Sequence, residues 1–330
     1  MPETAMTPAP LNGRLAPART ARVLGLGHRL PDRVVPNGPI AEQIGVDADW
    51  IVRRTGISSR RHAAPDERTA DLALAAARRA LSDAGLRASD IDLVLVATMT
   101  ADEITPNTAP LVADALGIGV GAFDVGAACT GWLSALSVGA AQIETGRAER
   151  VLVIGAETIS RIVDPTDKRT AALFGDGAGA VVLGHEGDGE IGPILLASDG
   201  GMGDAIIAHH DVRTIAMDGH TTFNMAVKVL GESTRQILEH SGLTLDDIDL
   251  FVYHQANGRI IKALMERLEL PSERVADYVA ETGNTSAASI PLTLSLLRED
   301  GRLRPGQRLL LGAVGAGFTW GAGVVEWGVD

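Results

Sequence analysis

The sequence of 330 residues contains little cysteine and few aromatic residues, and each shortage excludes a class of protein. Its single cysteine, Cys129, excludes a disulfide framework and a cysteine-rich metal site. Aromatic residues make up 3% of the chain, whereas 45% of it is hydrophobic and 38 residues are glycine. A core of Ala, Val, Leu and Ile with this much glycine is typical of closely packed α/β layers. The length allows two domains or one large double domain.

Positive charge and long apolar runs are also scarce. The 29 Lys and Arg residues are outnumbered by 42 Asp and Glu residues, and the formal net charge of −13 disfavours binding to nucleic acid or to an anionic membrane surface. No segment approaches the roughly 18 consecutive apolar residues of a transmembrane helix. Residues 1–20 lack the apolar centre of a signal peptide, so we expect a flexible tail there and a cytoplasmic protein. His209 and His210 have no third ligand at a credible spacing, so we expect no metal site.

The two halves of the sequence repeat one another. The helix and strand around Asp90-Ile91-Asp92-Leu93 return around Asp247-Ile248-Asp249-Leu250, at a spacing of 247 − 90 = 157 residues. A strand that begins at Arg150 is matched by one that begins at Arg308, 308 − 150 = 158 residues later. This repeat predicts two duplicated βα-rich halves that pack about a pseudo-twofold axis. The predicted halves are residues 21–190 and 191–330.

Cys129 lies at the junction between a predicted strand and a predicted helix. Residues 122–128 are mostly apolar and predict the end of a buried strand, and helical spacing of apolar residues begins after Thr130. The unpaired N–H groups and the dipole at a helix N-terminus favour a thiolate, which would make Cys129 a nucleophile. A lone cysteine is also often a small buried hydrophobic residue. The local sequence leaves both interpretations open.

The repeat places further polar residues near this junction. The strand end at Thr98 corresponds to the segment that contains His254, and the turn at Cys129 corresponds to Ser286, close to Asn284. If the two halves form one pocket, the thiol, the imidazole and the carboxamide would face it together. A thiolate can attack a thioester, and His and Asn side chains can donate hydrogen bonds to a carbonyl that becomes an enolate. The sequence therefore indicates thioester chemistry.

Several motifs resemble the β-ketoacyl-ACP synthase III enzymes of the thiolase superfamily. They lie in the family's order between about residue 21 and the C-terminus and are FDVGAACTGW, HQANGRI, GNTSAAS, GFTWG, DWIVRRTGI, DPTD and FGDGAGA. The resemblance implies a thiolase-like five-layered αβαβα fold built from two duplicated halves. It also implies a homodimer that uses acyl-CoA and malonyl-acyl carrier protein as substrates and needs no cofactor.

The resemblance implies a role for each matching residue. Cys129 would accept the acyl group, and His254 and Asn284 would polarise the malonyl thioester carbonyl while CO2 leaves, so that the product is a 3-oxoacyl-acyl carrier protein. The other implied residues are the oxyanion-hole N–H groups of Cys129 and Ala316, the CoA contacts Trp50, Arg54, Ala256 and Asn257, the carrier-protein contacts Gln255, Arg259, Lys262 and Arg267, and the acyl-pocket residues Thr105 and Val314. Without the resemblance, the three basic residues would be interpreted as an ordinary solvated helix face.

Some positions depart from the family pattern. Val314 and Thr105 stand where many members have Phe, so we expect a primer longer or more branched than acetyl. Ala316 replaces a common Gly but keeps its N–H, and Lys168-Arg169 replaces a frequent Arg-Gly. Besides condensation, which would initiate fatty-acid or polyketide synthesis, the alternatives are a non-condensing acyltransferase of a specialised-metabolite pathway and an inactive partner subunit. A degradative thiolase is disfavoured because that chemistry generally uses a second cysteine.

Overall fold

The computed structural model describes residues 19–330. Most of the predicted tail, residues 1–18, lies outside the described residues. At the start of the described chain, Arg19 forms an ion pair with Glu149 at 2.5 Å. Across residues 19–330, none of the helices combines the length and the apolar composition that crossing a bilayer requires.

Strands and helices alternate along most of the chain. The strands are β1 (Arg22–Arg29), β2 (Arg33–Pro36), β3 (Ser59–His62), β4 (Leu93–Ala97), β5 (Gly121–Val125), β6 (Val151–Glu157), β7 (Gly177–Gly184), β8 (Glu190–Ser198), β9 (Ile206–Ala208), β10 (Ile215–Met217), β11 (Leu250–Tyr253), β12 (Arg308–Gly315) and β13 (Thr319–Glu326). The helices are α1 (Asn37–Ile44), α2 (Ala48–Thr55), α3 (Thr69–Asp83), α4 (Thr108–Ala115), α5 (Gly131–Glu144), α6 (Gly219–Ser241), α7 (Gly258–Leu268), α8 (Val279–Thr282) and α9 (Ser289–Glu299).

Two sheets form the frame of the molecule. The first has the order β1-β7-β6-β4-β5, in which β4 runs parallel to both β5 and β6 and β7 runs antiparallel to its neighbours. The second has the order β11-β12-β13-β8, with a parallel pair β11 and β12 and antiparallel pairs elsewhere. The short strands β2 with β3 and β9 with β10 form separate two-stranded sheets.

Helices and sheets stack in five layers. Helices α3 and α4 cover the outer face of the first sheet, α5 and α9 lie between the two sheets, and α6 and α7 lie outside the second sheet. In β4, Val94 packs with α3, and the alternating residue Leu95 packs with Trp132 of the middle layer. Burial on both faces explains the nearly continuous apolar sequence of this strand. The predicted five-layered αβαβα fold is confirmed.

The two halves repeat side-chain hydrogen bonds as well as elements. The carboxylate of Asp92, just before β4, accepts a hydrogen bond from the N–H of Arg150 at 2.9 Å. The carboxylate of Asp249, just before β11, accepts one from the N–H of Arg308 at 2.7 Å. In each half this bond ties together the starts of two neighbouring parallel strands.

The two turns that precede the middle-layer helices also match, but with a small shift. A 3₁₀ turn over Ala128–Thr130 leads into α5, and one over Ser286–Ala288 leads into α9. Ala128 and Ser286 both have positive φ, 46° and 49°. The spacing here is 286 − 128 = 158, so Cys129 corresponds to Ala287. The prediction that Ser286 takes the place of Cys129 is wrong by one residue, because the second half has one more residue between β11 and this turn.

Each of these turns packs against a glycine of the other half. A Cβ atom on Gly315 would lie 2.7 Å from the backbone nitrogen of Cys129, and a Cβ atom on Gly155 would lie 2.3 Å from the carbonyl oxygen of Ala287. Backbone atoms cannot move aside as the tip of a side chain can, so only glycine permits this approach. The strands β12 and β6 thereby fix the two turns beside each other.

Candidate active site

Cys129 lies in the turn before α5, and its thiol opens into a cavity. Burial raises the pKa of this thiol to about 12, a hydrogen bond with Ser286 acts to lower it, and the charge of Glu157 acts to raise it. The N-terminus of α5 also favours the thiolate. The resting side chain is therefore a thiol whose ionisation depends on Ser286, Glu157 and the helix.

His254 follows β11 and is 2% exposed. Burial lowers the pKa of its imidazole to about 3, so the ring is neutral at physiological pH. Within residues 19–330, its Nδ1 has no hydrogen-bond partner. A neutral imidazole carries a single N–H, so His254 can donate one hydrogen bond to an oxygen in the cavity.

Asn284 is held in the loop between α8 and the Ser286–Ala288 turn. Its backbone N–H donates to the carbonyl of Leu173 at 2.9 Å, and its own carbonyl accepts from the N–H of Gly175 at 3.0 Å. Its Oδ1 accepts from the N–H of Ser286 at 2.9 Å. Because Oδ1 is occupied in this way, the carboxamide is oriented and its Nδ2 is left as the donor.

The three side chains line one cavity of about 590 Å3. The predicted site residues on its wall are Cys129, His254, Asn284, Val314, Ala316, Trp50, Arg54, Ala256, Asn257 and Arg259. The rest of the wall is largely apolar, and part of it comes from β9 and β10 through Ile206, Ile207, Ile215 and Met217. Sequence analysis missed these two strands because each has only three residues, too few to show a period of hydrophobicity.

The mouth of the cavity lies where α2 meets α7. The guanidinium of Arg54 lies over the ring of Trp50, 5.7 Å from its centroid. Asn257 caps α7 by accepting from the N–H of Arg259 at 2.8 Å, and its Nδ2 donates to the carbonyl of Arg54 at 3.5 Å. The guanidinium of Arg259 lies 5.3 Å from the ring centroid of Phe223. The mouth is thus positively charged and partly aromatic, which suits a ligand that carries phosphates and a planar ring.

Four predicted residues do not line this cavity, and three of them are exposed at the surface. Lys262 and Arg267 are exposed on α7, and Thr105 is exposed in the loop between β4 and α4. Lys262 and Arg259 are three residues apart, so they lie near each other on the helix surface. In its own chain, Thr105 does not line the cavity.

Gln255 disagrees with its predicted place in the carrier-protein contact. Its side chain is 1% exposed. Its Nε2 donates to the carbonyls of Tyr253 and Ala276 at 2.8 and 3.2 Å, and its Oε1 accepts from the N–H groups of Tyr278 and Val279 at 2.8 and 3.1 Å. A side chain with all these bonds inside the protein cannot meet a partner at the surface. We correct Gln255 to a structural residue.

Glu157 belongs to the site but was missed by sequence analysis. This carboxylate at the end of β6 is fully buried and accepts from the hydroxyls of Thr100 and Ser286 at 2.6 and 2.9 Å and from the N–H of Met99 at 3.2 Å. Burial raises its pKa to about 7, although these hydrogen bonds act to lower it. The only signal in the sequence is an acidic residue directly after an apolar strand.

Two family models match the chain. The model described as 3-oxoacyl-[acyl-carrier-protein] synthase III matches residues 123–200, and the model of the C-terminal part of this enzyme matches residues 238–327. Among curated relatives, β-ketoacyl-[acyl-carrier-protein] synthase III of Paracoccus denitrificans is 46% identical over 322 residues, which are 94% of this chain and 100% of the relative. A Streptomyces coelicolor enzyme, β-ketoacyl-[acyl-carrier-protein] synthase III 3, is also 46% identical, over 94% of this chain and 98% of the relative.

Solved structures agree over nearly the whole chain. The 3-oxoacyl-[acyl-carrier-protein] synthase III from Aquifex aeolicus superposes with a TM-score of 0.91 at 39% identity and covers 93% of this chain and 100% of its own. The priming β-ketosynthase of the R1128 polyketide pathway superposes with a TM-score of 0.91 at 38% identity, over 97% of this chain and 100% of its own.

Proposed function

The chain belongs to the 3-oxoacyl-[acyl-carrier-protein] synthase III family of acyltransferases, and from this premise we propose which reaction it performs and with which residues. The reaction is a decarboxylative condensation of an acyl-CoA primer with malonyl-acyl carrier protein. The observation that carries the proposal is that Cys129, His254 and Asn284, which come from different halves of the chain, line one buried cavity.

The first step loads the primer. Cys129 gives up its thiol proton and the sulfur attacks the carbonyl carbon of the acyl-CoA thioester. The bond between that carbon and the CoA sulfur then breaks, and CoA leaves and takes up a proton, so that the acyl group is bound to the Cys129 sulfur. The carbonyl oxygen becomes negatively charged as the tetrahedral intermediate forms. The N–H groups of Cys129 and Ala316 are the proposed donors to this oxygen, since Ala316 lines the same cavity.

The second step forms the carbon–carbon bond. When malonyl thioester loses CO2, the electron pair of the broken bond moves to the α-carbon and its carbonyl, and the resulting enolate oxygen accepts hydrogen bonds from His254 and Asn284. The α-carbon then attacks the acyl carbonyl, and the carbon–sulfur bond breaks to return the thiolate of Cys129. A neutral His254 suits this role because it still carries one N–H, which can donate to the enolate oxygen. All charge is carried by the two substrates and these side chains, so the proposal includes no cofactor.

The mouth residues are proposed to hold the carriers. Trp50 and Arg54 would contact the adenine end of CoA, and Ala256 and Asn257 would line the path of the pantetheine arm. The carrier-protein contact would be made by Arg259, Lys262 and Arg267 of α7, which are exposed and positively charged. These three supply positive charge on a protein whose net charge is −13, as an acidic partner requires.

We include a homodimer in the proposal. Strand β5 is an edge of the first sheet, and its Phe123 is 45% exposed. In the segment that follows β4, the neighbour of β5, Ile104 is 87% and Met99 is 50% exposed. An unpaired edge strand beside exposed apolar side chains favours self-association. A second copy at this edge would allow Thr105 to approach the partner's acyl pocket, and sedimentation as a monomer would contradict this part of the proposal.

We also propose that the chain divides into two halves near residue 190 and that the protein is located in the cytoplasm. A division near residue 190 is supported by β8, which begins at Glu190 and is the first strand of the second sheet along the chain. A cytoplasmic location is supported by the single cysteine, because a protein without disulfides does not need an oxidising compartment.

The test offers the purified protein a mixture of acyl-CoAs and detects adducts by intact mass, then adds malonyl-acyl carrier protein and measures CO2. We expect an acyl adduct that is absent from a Cys129→Ala variant, followed by release of CO2 and formation of a 3-oxoacyl product. An adduct without CO2 release would favour the non-condensing acyltransferase instead. Absence of any adduct would contradict the proposed loading step and favour an inactive subunit.

A further inference from the structure

Glu157 connects three separate parts of the site. Its Oε2 accepts from Thr100 at 2.6 Å, and both of its oxygens lie 3.2 Å from the N–H of Met99, which lines the cavity. Its Oε1 accepts from the Ser286 hydroxyl at 2.9 Å. No Lys or Arg within residues 19–330 forms an ion pair with this carboxylate. A buried carboxylate that relies on hydrogen bonds alone depends strongly on every donor.

Ser286 links Glu157 to the groups that are proposed to react. Its N–H donates to Oδ1 of Asn284 at 2.9 Å, and Ser286 lines the same cavity as Cys129, where its hydroxyl acts to lower the pKa of the thiol. Ser286 is 1% exposed and has a positive φ of 49°, a conformation that a residue other than glycine seldom adopts. Its position is therefore imposed by its surroundings, and the bond to Glu157 is part of them.

We propose that Glu157 is a positioning residue, whose carboxylate holds Ser286 in place and thereby orients Asn284 and controls the hydrogen bond that the Cys129 sulfur receives. The role in orienting Asn284 rests on the proposed function, whereas the effect on the sulfur does not. A serine hydroxyl has one proton, so it can donate either to the carboxylate of Glu157 or to a thiolate of Cys129. Glu157 competes with the thiolate for that proton and also repels its negative charge.

Other titratable groups are poorly placed to produce this effect. His254 faces the same cavity from β11, but it is neutral at the pH of the experiment. The remaining basic residues of the cavity wall are exposed to solvent, where their charges are screened. They are Arg54, Lys168, Arg169, His220 and Arg259.

The competition predicts opposite effects for two substitutions. In Glu157→Gln the negative charge is lost and the competing carboxylate oxygen becomes the weaker acceptor of a neutral amide, so the pKa of Cys129 falls. In Ser286→Ala the carboxylate remains but the donor to the thiolate is lost, so the pKa of Cys129 rises. An S–H group is a weak donor, so losing the hydroxyl as an acceptor matters less. Both variants loosen Asn284 and slow condensation.

The experiment measures the rate of Cys129 alkylation by iodoacetamide as a function of pH, followed by intact mass. Because the chain has one cysteine, the signal belongs to this residue alone. We expect the midpoint to shift to lower pH by about one unit, a tenfold change in thiolate population, in Glu157→Gln. In Ser286→Ala it shifts to higher pH. Ser295→Ala serves as the matched control, since this α9 hydroxyl is buried without a partner among residues 19–330.

Two results would overturn the proposal. One is an unchanged profile in both variants, and the other is a shift in the same direction in both, which is what general loosening of the site would produce. If Glu157→Gln does not fold, the direction of the shift in Ser286→Ala decides alone. Alkylation needs neither acyl-CoA nor carrier protein, so this outcome is independent of whether the proposed condensation occurs. A second measurement, CO2 release from malonyl-acyl carrier protein, is expected to fall about tenfold in both variants.

Discussion

The turns before α5 and α9 have the same backbone conformation, but their side chains have different roles. Each has a residue with positive φ, a short 3₁₀ segment and a glycine of the other half packed against it. In the first turn, Cys129 opens into the cavity. In the second, the equivalent Ala287 is 1% exposed and packed, and Ser286 turns its hydroxyl towards Glu157.

The difference shows how a duplicated frame can serve an asymmetric reaction. The same backbone places a nucleophile in the first half and a hydrogen-bonding support in the second. The second half has an imidazole directly after β11, whereas the first half has Ala97 in the place of His254 (254 − 97 = 157). Chemistry at one cavity has therefore been divided between loading by the first half and carbanion stabilisation by the second, according to the proposed mechanism.

The largest expected effect separates the two turns directly. Cys129→Ala should abolish acyl loading, because the chain has no other cysteine thiol, and should leave the melting temperature nearly unchanged. Ser286→Ala should still form the acyl adduct. Intact mass after incubation with acyl-CoA measures both. Loss of the adduct in both variants would mean that the two turns are not divided in this way.

The next effect concerns the residues of the second half that face the cavity. His254→Ala or Asn284→Ala should slow condensation by roughly 10²-fold while loading is spared, because each removes one donor to the enolate oxygen. Loading by intact mass and CO2 release should be measured on the same preparation. An equal loss in both steps would contradict a separate role for the second half.

A smaller effect tests the glycines that hold the turns together. Gly155→Ala and Gly315→Ala should each destabilise the protein by about 1–3 kcal/mol in urea unfolding, because the new methyl group meets backbone atoms. Gly315→Ala should also slow loading, since it displaces Cys129. Gly155→Ala should reduce condensation more than loading, since it displaces Ala287 and the neighbouring Ser286. If both variants lost loading and condensation in the same proportion, the two glycine contacts would not act separately on the two turns.

The smallest effect concerns the primer. Val314 lies beside Gly315 on β12 and lines the cavity, so Val314→Phe should narrow the acyl pocket and shift preference towards acetyl-CoA by several-fold. Single-turnover loading with acetyl-CoA and longer or branched acyl-CoAs measures the ratio. A strict acetyl preference in the unsubstituted enzyme would contradict the expectation of a longer or branched primer.

Much of the frame could be predicted because burial imposes regular patterns on the sequence. The apolar period of residues 69–84 predicts one helix, and α3 covers Thr69–Asp83. The apolar spacing of residues 40–54 also predicts one helix, but the structure has two helices there, α1 and α2, since Gly45 adopts a φ of 66° and ends α1. Periodicity alone does not reveal where a backbone leaves the helix when apolar residues continue on both sides.

The site was harder to predict where contacts join distant segments. Cys129, His254 and Asn284 could be found because the repeat and the motifs mark them. Gln255 stands inside one of these motifs, yet its partners Ala276, Tyr278 and Val279 follow more than 20 residues later, and nothing local indicates that its amide is fully occupied. Glu157 lies outside all of these motifs. Its proposed positioning role depends on Thr100 and Ser286, and no spacing in the sequence relates these two residues to it.

The shared middle layer has a consequence for how substrates enter. Helix α5 contacts strands of both sheets, and α9, which comes from the second half, packs on β1 and β7 of the first sheet. Separating the two halves would expose this apolar middle layer to water. Binding a thioester could not offset the free energy lost in this way. A substrate must therefore enter without separation of the two halves. Only a thioester at the end of a narrow, extended arm can reach the Cys129 sulfur while the bulky carrier stays outside the cavity.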